Sequence, residues 1–300
     1  MRPTRSLAAL ATISALTLAA CGGDPTQDPG ATEEGAASKV TIGSGNFTES
    51  TILAEVYAKA LQDDGVEVEK KLEIGSRETY LPALQDGSID LIPEYIGTLA
   101  AYFDKELTVT DADEVYAALE KSLPEGLEVL EYSEAENADN VVVTRATADE
   151  KGLEKISDLE GKAGDMTLGG PPEWKERAQG VPGLKKVYGL EFAKFRELSA
   201  GGNVTAQALE NGQIDAANIF TTDPSIVQKE FVILEDDKDL FSAQNLVPLL
   251  SSEVADDAVS ESLNKVSSEL TAEDLAQMQI DVTDGKTPEE VASAWVEENL

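Results

Sequence analysis

Residues 83–98 read ALQDGSIDLIPEYIGT, and 125 residues later, at 208–223, the chain reads ALENGQIDAANIFTTD. Ala83, Leu84, Gly87, Ile89 and Asp90 recur as Ala208, Leu209, Gly212, Ile214 and Asp215, and Tyr95 falls opposite Phe220. Each copy predicts a helix end, a turn glycine, a short apolar strand, and then a loop with one aromatic and small hydroxyls. The period is too long for a solenoid unit. It suits two α/β lobes of about 100 to 150 residues each. Lobes that face each other would set Tyr95 and Phe220 on opposite walls of one cleft, at the carboxyl ends of equivalent strands. Open α/β sheets bind ligands there.

Composition narrows what such a cleft can do. The chain has 58 acidic and 23 basic residues and a formal charge of −35. Nucleic acid and anionic membrane surfaces are repelled by that excess. The acids are scattered over helix faces, so they read as a soluble or salt-tolerant surface and no metal site is expected. There is no histidine, which removes Ser-His-Asp and Cys-His catalysis and the common zinc sites. Carboxylate-only chemistry remains open, but two repeated lobes without histidine point to binding rather than catalysis. No cofactor is expected.

The N-terminal stretch MRPTRSLAALATISALTLAACGG has Arg2 and Arg5 ahead of a short apolar segment, Leu7 to Ala20. That segment suits an export signal and is too short to span a membrane as a mature helix. Leu18-Ala19-Ala20-Cys21 resembles a bacterial lipobox, which implies cleavage before Cys21 and a diacylglycerol on its sulfur. Cys21 is the only cysteine, so no internal disulfide is expected. Residues 1–20 are read as the signal and 21–38 as a flexible tether. No later apolar run is long enough to cross a membrane.

Along the mature chain, Lys39 to Gly43 predicts the first strand, followed by the loop Gly43-Ser44-Gly45-Asn46-Phe47 and a helix capped by Thr48. Such a loop presents backbone N–H groups toward a cleft, and Ser44 and Asn46 become candidate contacts to a ligand carboxylate. A second strand runs from Val66 to Ile74. A helix is expected from Thr79, with Pro82 in its first turn. Thr110 starts a further helix, and Leu127 to Tyr132 reads as a strand. Asp139 to Thr144 is taken as the crossing into the second lobe. Ser157 to Glu160 reads as a capping box. Met166 to Gly170 leads into GGPPEW, the second-lobe partner of GSGNF, with Trp174 and Arg177 just beyond. Strands follow at Phe192–Leu198 and Phe231–Leu234, and Gln244 to Leu250 crosses back. Two helices are expected to close the chain, the last with Thr287 as cap, Pro288 first and Glu290 third. The lobes are thus residues 39–139 with 246–300, and residues 140–245. Two lobes on two crossings form a hinge able to close on a ligand.

Five stretches together, GSGNFTES, QDGSIDLIPEYIGT, GGPPEWKERAQGVPGLKKVYGL, LENGQIDAANIFTTD and VILEDDKDLFSAQNLVPLL, resemble the osmoprotectant-binding proteins of ABC importers, in order and over nearly all of 39–300. The resemblance implies a type II periplasmic-binding fold with an interlobe ligand cleft. It also implies a lipid-anchored, extracytoplasmic and monomeric receptor, which hands glycine betaine, choline, carnitine or a related quaternary ammonium compound to a membrane permease. A trimethylammonium has no N–H to donate and is held by aromatic faces, each worth about 0.5–2 kcal/mol. A carboxylate tail wants arginine, backbone N–H or hydroxyl donors. Tyr95 matches the family's cage tyrosine and Thr98 a tail-binding threonine. Phe220, with Thr221 and Thr222 after it, stands where relatives often carry a tyrosine. Trp174 would add a face and Arg177 a carboxylate clamp. Gly45, Asp139 or Asn140, and Ala206 depart from the pattern, so two or three rings are expected rather than a four-sided cage. Weak betaine binding, or a different amine or amino acid, follows from that, and a ligand-sensing lipoprotein that does not transport is the alternative from another class. Tyr57, Tyr80, Tyr116 and Tyr188 are read as helix or core residues, and Tyr95→Ala is expected to weaken binding at least tenfold without unfolding the protein.

Overall fold

The computed structural model of the chain describes residues 39–199 and 201–300. The export signal, Cys21 and the tether lie outside those residues. Among them, ten strands run in chain order as β1 (Lys39–Gly45), β2 (Glu67–Gly75), β3 (Leu91–Tyr95), β4 (Leu127–Val129), β5 (Val141–Val143), β6 (Thr167–Gly170), β7 (Lys194–Glu197), β8 (Ala216–Asn218), β9 (Val232–Ile233) and β10 (Leu246–Ser251). They form two five-stranded sheets, ordered β2-β1-β3-β10-β4 and β7-β6-β8-β5-β9. In the first, β1 is parallel to β2 and β3, while β10 is antiparallel to β3 and β4. In the second, β6 is parallel to β7 and β8, while β5 is antiparallel to β8 and β9. The two sheets have one plan, and each takes its antiparallel inner strand directly after a crossing from the other lobe.

The sequence repeat has a physical basis. Asp90 N–H donates to Thr41 O and its Oδ2 accepts from Thr41 N–H at 2.7 Å. Asp215 does the same with Thr167, its Oδ2 accepting at 2.7 Å. One aspartate thus continues the parallel ladder at the start of β3 and its counterpart does so at β8. Gly87 and Gly212 end the preceding helices at φ 75° and 65°, the left-handed region that glycine enters without a Cβ penalty. Ile89 and Ile214 lie over Gly43 and Gly169, where a Cβ would come within 2.6 Å of either Cδ1. The repeat therefore reaches into the first strand of each lobe, beyond the residues that match by eye.

The crossings pair with each other. Asn137 N–H donates to Gln244 O at 3.1 Å, Leu246 N–H to Ala135 O at 2.9 Å, and Ser133 N–H to Leu246 O at 2.8 Å. Glu136 and Asn245 form an antiparallel bridge. This two-stranded ribbon joins the lobes beside the ends of β3 and β8.

Local differences from the sequence reading follow from which group satisfies each helix end. Phe47, not Thr48, is the N-cap of the Thr48–Asp63 helix, and no side chain bonds there. The next helix begins at Arg77, because Ser76 O accepts from Thr79 and Tyr80 N–H. Pro82 therefore lies inside that helix. Asp111 rather than Thr110 caps the Ala112–Ser122 helix. Around residue 157 it is Asp158, accepting from Lys155 and Glu154 N–H, that closes a 3-10 turn at Ile156–Leu159. Three helices follow β10, at Asp257–Glu269, Ala272–Thr283 and Pro288–Asn299. The last has the Thr287 and Glu290 capping box expected of it. No helix among the described residues is long and apolar enough to cross a membrane.

Candidate functional site

The carboxyl ends of β1, β3 and β8 meet the crossing ribbon at a cavity of about 50 Å³ between the lobes. Four rings line it: Phe47 after β1, Tyr80 on the Arg77–Gln85 helix, Tyr95 at the end of β3, and Phe220 after β8. Phe47 and Phe220 approach from opposite lobes with centroids 5.8 Å apart. Arg77, Thr98, Asp139, Glu173 and Arg177 wall this cavity and also a larger one of about 450 Å³ beside it. On the far side of the Phe47–Phe220 pair lies a polar cavity of about 230 Å³.

Beneath the rings lies a carboxylate that sequence reading missed. Glu49, in the first turn of the Thr48–Asp63 helix, is 2% exposed. Tyr95 OH donates to its Oε1, and so does Asn137 Nδ2 at 2.7 Å. Thr222 Oγ1 and Gln279 Nε2 reach Oε2 at 2.6 and 2.7 Å. The four groups come from the first lobe, the crossing ribbon, the second lobe and the Ala272–Thr283 helix. Burial raises the Glu49 pKa, and the hydrogen bonds from Thr222, Tyr95 and Asn137 pull it partly back. Thr222 N–H donates to Asn137 Oδ1 at 3.2 Å, which fixes Nδ2 as the end that meets Glu49. A glutamine at position 49 would bring its own NH2 against an amide NH2 in either orientation. Glu49→Gln is therefore expected to destabilise the protein by about 2–3 kcal/mol, since buried donors lose their acceptor. That is a fall of roughly 4–10 °C in the thermal midpoint for a chain of this size. An unchanged midpoint in calorimetric scanning would show that the four donors find other acceptors.

A second buried group holds the other side of the cavity. Arg77 Nε and Nη2 donate to Glu94 at 2.8 and 2.6 Å, and Nη2 also to Thr98 Oγ1 at 2.8 Å. Tyr80 OH donates to the same carboxylate at 2.8 Å. Burial alone would lower the Arg77 pKa, but Glu94 outweighs it and keeps the guanidinium charged. Burial pushes the Tyr80 and Tyr95 phenols well up, so both stay protonated. Each phenol spends its proton on a carboxylate and offers the cavity its ring. Across the mouth, Arg177 Nε and Nη2 donate to Glu78 at 3.2 and 3.1 Å, tying the lobes together. Burial opposes ionisation of Glu78, but hydrogen bonds from Arg177 and Ser76 outweigh it and bring its pKa down to about 2.

Of the residues picked from sequence, Asn46, Tyr95, Thr98, Arg177 and Phe220 meet at the central cavity. Others go elsewhere. Ser44 is fully buried under its loop, where its Oγ accepts from Glu73 N–H at 2.7 Å. It walls none of these three cavities. The loop's N–H groups are also engaged, Gly45 N–H by Ser50 Oγ at 2.8 Å and Asn46 N–H by Gly75 O at 3.1 Å. Trp174 is 1% exposed, packs in the second-lobe core stacked on Phe241 at 6.4 Å, and reaches only the wall of the larger cavity. Thr221 bonds to Asn137 of the ribbon and Thr222 to Glu49, and neither walls any of these three cavities. Arg177 spends its Nε–Nη2 edge on Glu78. Conversely, Phe47 and Tyr80 bring the rings to four where two or three were expected. Glu49 and Phe47 stood in plain view in GSGNFTES, but nothing local marks a glutamate as buried.

This arrangement can be set beside known proteins. Residues 38–298 match the family described as the substrate binding domain of ABC-type glycine betaine transport systems. The chain belongs to that family. Within it, the carnitine transport binding protein OpuCC of Listeria monocytogenes is 27% identical over 276 residues, covering 88% of this chain and 89% of that one. The glycine betaine-binding protein YehZ of Escherichia coli is 25% identical over 278 residues, covering 88% and 91%. Among solved structures, a glycine betaine/carnitine/choline ABC transporter protein superposes with TM-score 0.68 at 23% identity, over 86% of this chain and 98% of the other. Lactococcal OpuAC, closed on glycine betaine, superposes with TM-score 0.62 at 16% identity, over 87% and 96%. The two-lobed periplasmic-binding architecture is thus common to the glycine betaine substrate-binding family and this chain, and the family consists of transport receptors, not enzymes.

Proposed function

We propose that this protein is the extracytoplasmic receptor of an ABC importer. It captures a small quaternary ammonium osmolyte of the glycine betaine, choline or carnitine type between its lobes and delivers it to a membrane permease. The observation that carries this reading is the set of four rings, Phe47, Tyr80, Tyr95 and Phe220, around an interlobe cavity, in a chain of the glycine betaine substrate-binding family. A trimethylammonium presents only methyl groups and a diffuse charge, and aromatic faces are the groups that hold it without demanding N–H donors. Membership of the family also supports the permease as partner. The lipobox-like LAAC at 18–21 supports an anchor through a lipid on Cys21, and the division of the strands between two sheets supports lobe boundaries at 39–139 with 246–300 and at 140–245.

Titration calorimetry on the purified protein tests the reading, with glycine betaine, choline, carnitine and proline betaine as titrants. Binding heat is a better readout than a melting shift, because concentrated osmolytes stabilise any protein by exclusion from its surface. Saturable one-to-one heat is expected with at least one of them. Phe220→Ala is expected to weaken it about tenfold, the value of one ring on a desolvated cation. Heat from none of the four would overturn the assignment of ligand class.

A further inference from the structure

Both arginines at the cleft have engaged their Nε–Nη2 edge on a carboxylate of the protein. Arg77 gives Nε and Nη2 to Glu94, and Arg177 gives the same pair to Glu78. One lining carboxylate has no cation in hydrogen-bonding contact among the described residues. Asp139 lies on the crossing into β5, is 6% exposed, and walls both the central and the larger cavity. Its one side-chain hydrogen bond comes from Asn218 Nδ2 at 2.6 Å, and among the described residues no lysine or arginine nitrogen pairs with it. Burial disfavours its charged form, which the Asn218 hydrogen bond and the more distant Arg177 and Arg77 only partly offset, so a cation brought into contact would be favoured. A neutral donor is free as well. Gln244, 1% exposed, accepts Thr98 N–H on its Oε1 at 3.1 Å, which fixes the amide. The residue walls the central cavity, and its buried Nε2 has no hydrogen-bond partner among the described residues.

We infer that this site selects a ligand of net positive charge with an uncharged hydrogen-bonding tail, an ammonium alcohol rather than an ammonium carboxylate. Asp139 is the counter-ion of the head, and Gln244 Nε2 donates to the tail. A carboxylate tail would bring a further negative charge beside Asp139, where both arginines already spend their Nε–Nη2 edge on a carboxylate of the protein. An alcohol tail accepts from Gln244 at no such penalty. This inference rests on the reading of the cleft as a quaternary ammonium site.

Calorimetry with matched probes tests it. Choline and glycine betaine have the same head and differ in the charge of the tail, and tetramethylammonium has the head alone. Choline is expected to bind at least tenfold tighter than glycine betaine and several-fold tighter than tetramethylammonium. Asp139→Asn keeps the Oδ1 that Asn218 needs and removes the charge, so it is expected to weaken choline tenfold or more and to narrow its margin over glycine betaine. Glycine betaine binding as tightly as choline would overturn the proposal on the wild-type protein alone. Unchanged choline affinity in a folded Asp139→Asn protein would leave Asp139 a structural partner of Asn218. Equal affinities for choline and tetramethylammonium would remove Gln244 from the site. Heat from none of the probes would overturn the quaternary ammonium reading itself, and this inference with it.

Discussion

Tyr95→Ala is expected to abolish measurable ligand binding and to lower the thermal midpoint in the same protein. The sequence alone suggests a clean loss of affinity. The structure couples the two effects, because Tyr95 is a cavity wall, a member of the first-lobe core, and a donor to buried Glu49. Truncating a buried aromatic costs about 3–5 kcal/mol, which is roughly 6–15 °C for a chain of this size. Tyr95→Phe separates the contributions. It keeps the ring and removes one of the four donors to Glu49, so about 1–2 kcal/mol of stability is expected to go while binding falls far less than in the alanine variant. Scanning calorimetry and titration on both variants read this out. A Tyr95→Ala protein with the wild-type midpoint would mean that the ring is not anchored as described, and one with the wild-type affinity would move the pocket elsewhere.

Gly97→Ala is expected to be as damaging, although it changes one methyl outside the cavity. The glycine in PEYIGT has no unusual φ that would require it. It is needed because the crossing ribbon packs against its Cα. A Cβ there would overlap Ser242 Oγ and the carbonyl of Ala243, and would lie 2.5 Å from Gln244 Nε2. Two of these atoms belong to fixed or hydrogen-bonded parts of the ribbon and cannot swing aside. Overpacking at such a site costs about 3 kcal/mol, or the ribbon moves and the lobes change their set. Thermal unfolding and small-angle scattering distinguish these outcomes. A variant with wild-type midpoint and wild-type radius of gyration would show that the ribbon has slack at this point.

The lobes were legible because their repeat records hydrogen bonds and packing that both copies need. Asp90 and Asp215 close the same ladder onto Thr41 and Thr167, and two isoleucines need two glycines beneath them. The rings were legible in part. Tyr95 and Phe220 end equivalent strands, but Tyr80 lies at helical spacing among apolar residues and reads as core. It is core, with one face on the cavity. The polar groups were hidden for a different reason. Glu49 meets Gln279 across 230 residues of chain, and Gln244 meets Thr98 across 146. No periodicity marks partners that far apart. Trp174 misled in the opposite direction. A tryptophan in a Gly-Pro loop looks like an exposed wall, yet the turn at Pro172–Lys175 folds it back onto Phe241.

The place of β10 has a consequence for how the molecule is made. It is the inner strand of the first sheet, pairing β3 on one side and β4 on the other, yet it follows every strand of the second sheet in the chain. A nascent chain that has emerged only as far as residue 245 can complete the second sheet. In the first, it has a β3 whose five buried residues face an open edge, and a β4 without a neighbour. Open apolar edges recruit other strands, and pairings across such sequence distances form slowly. Assembly order is therefore the reverse of synthesis order: the lobe begun first is the lobe finished last.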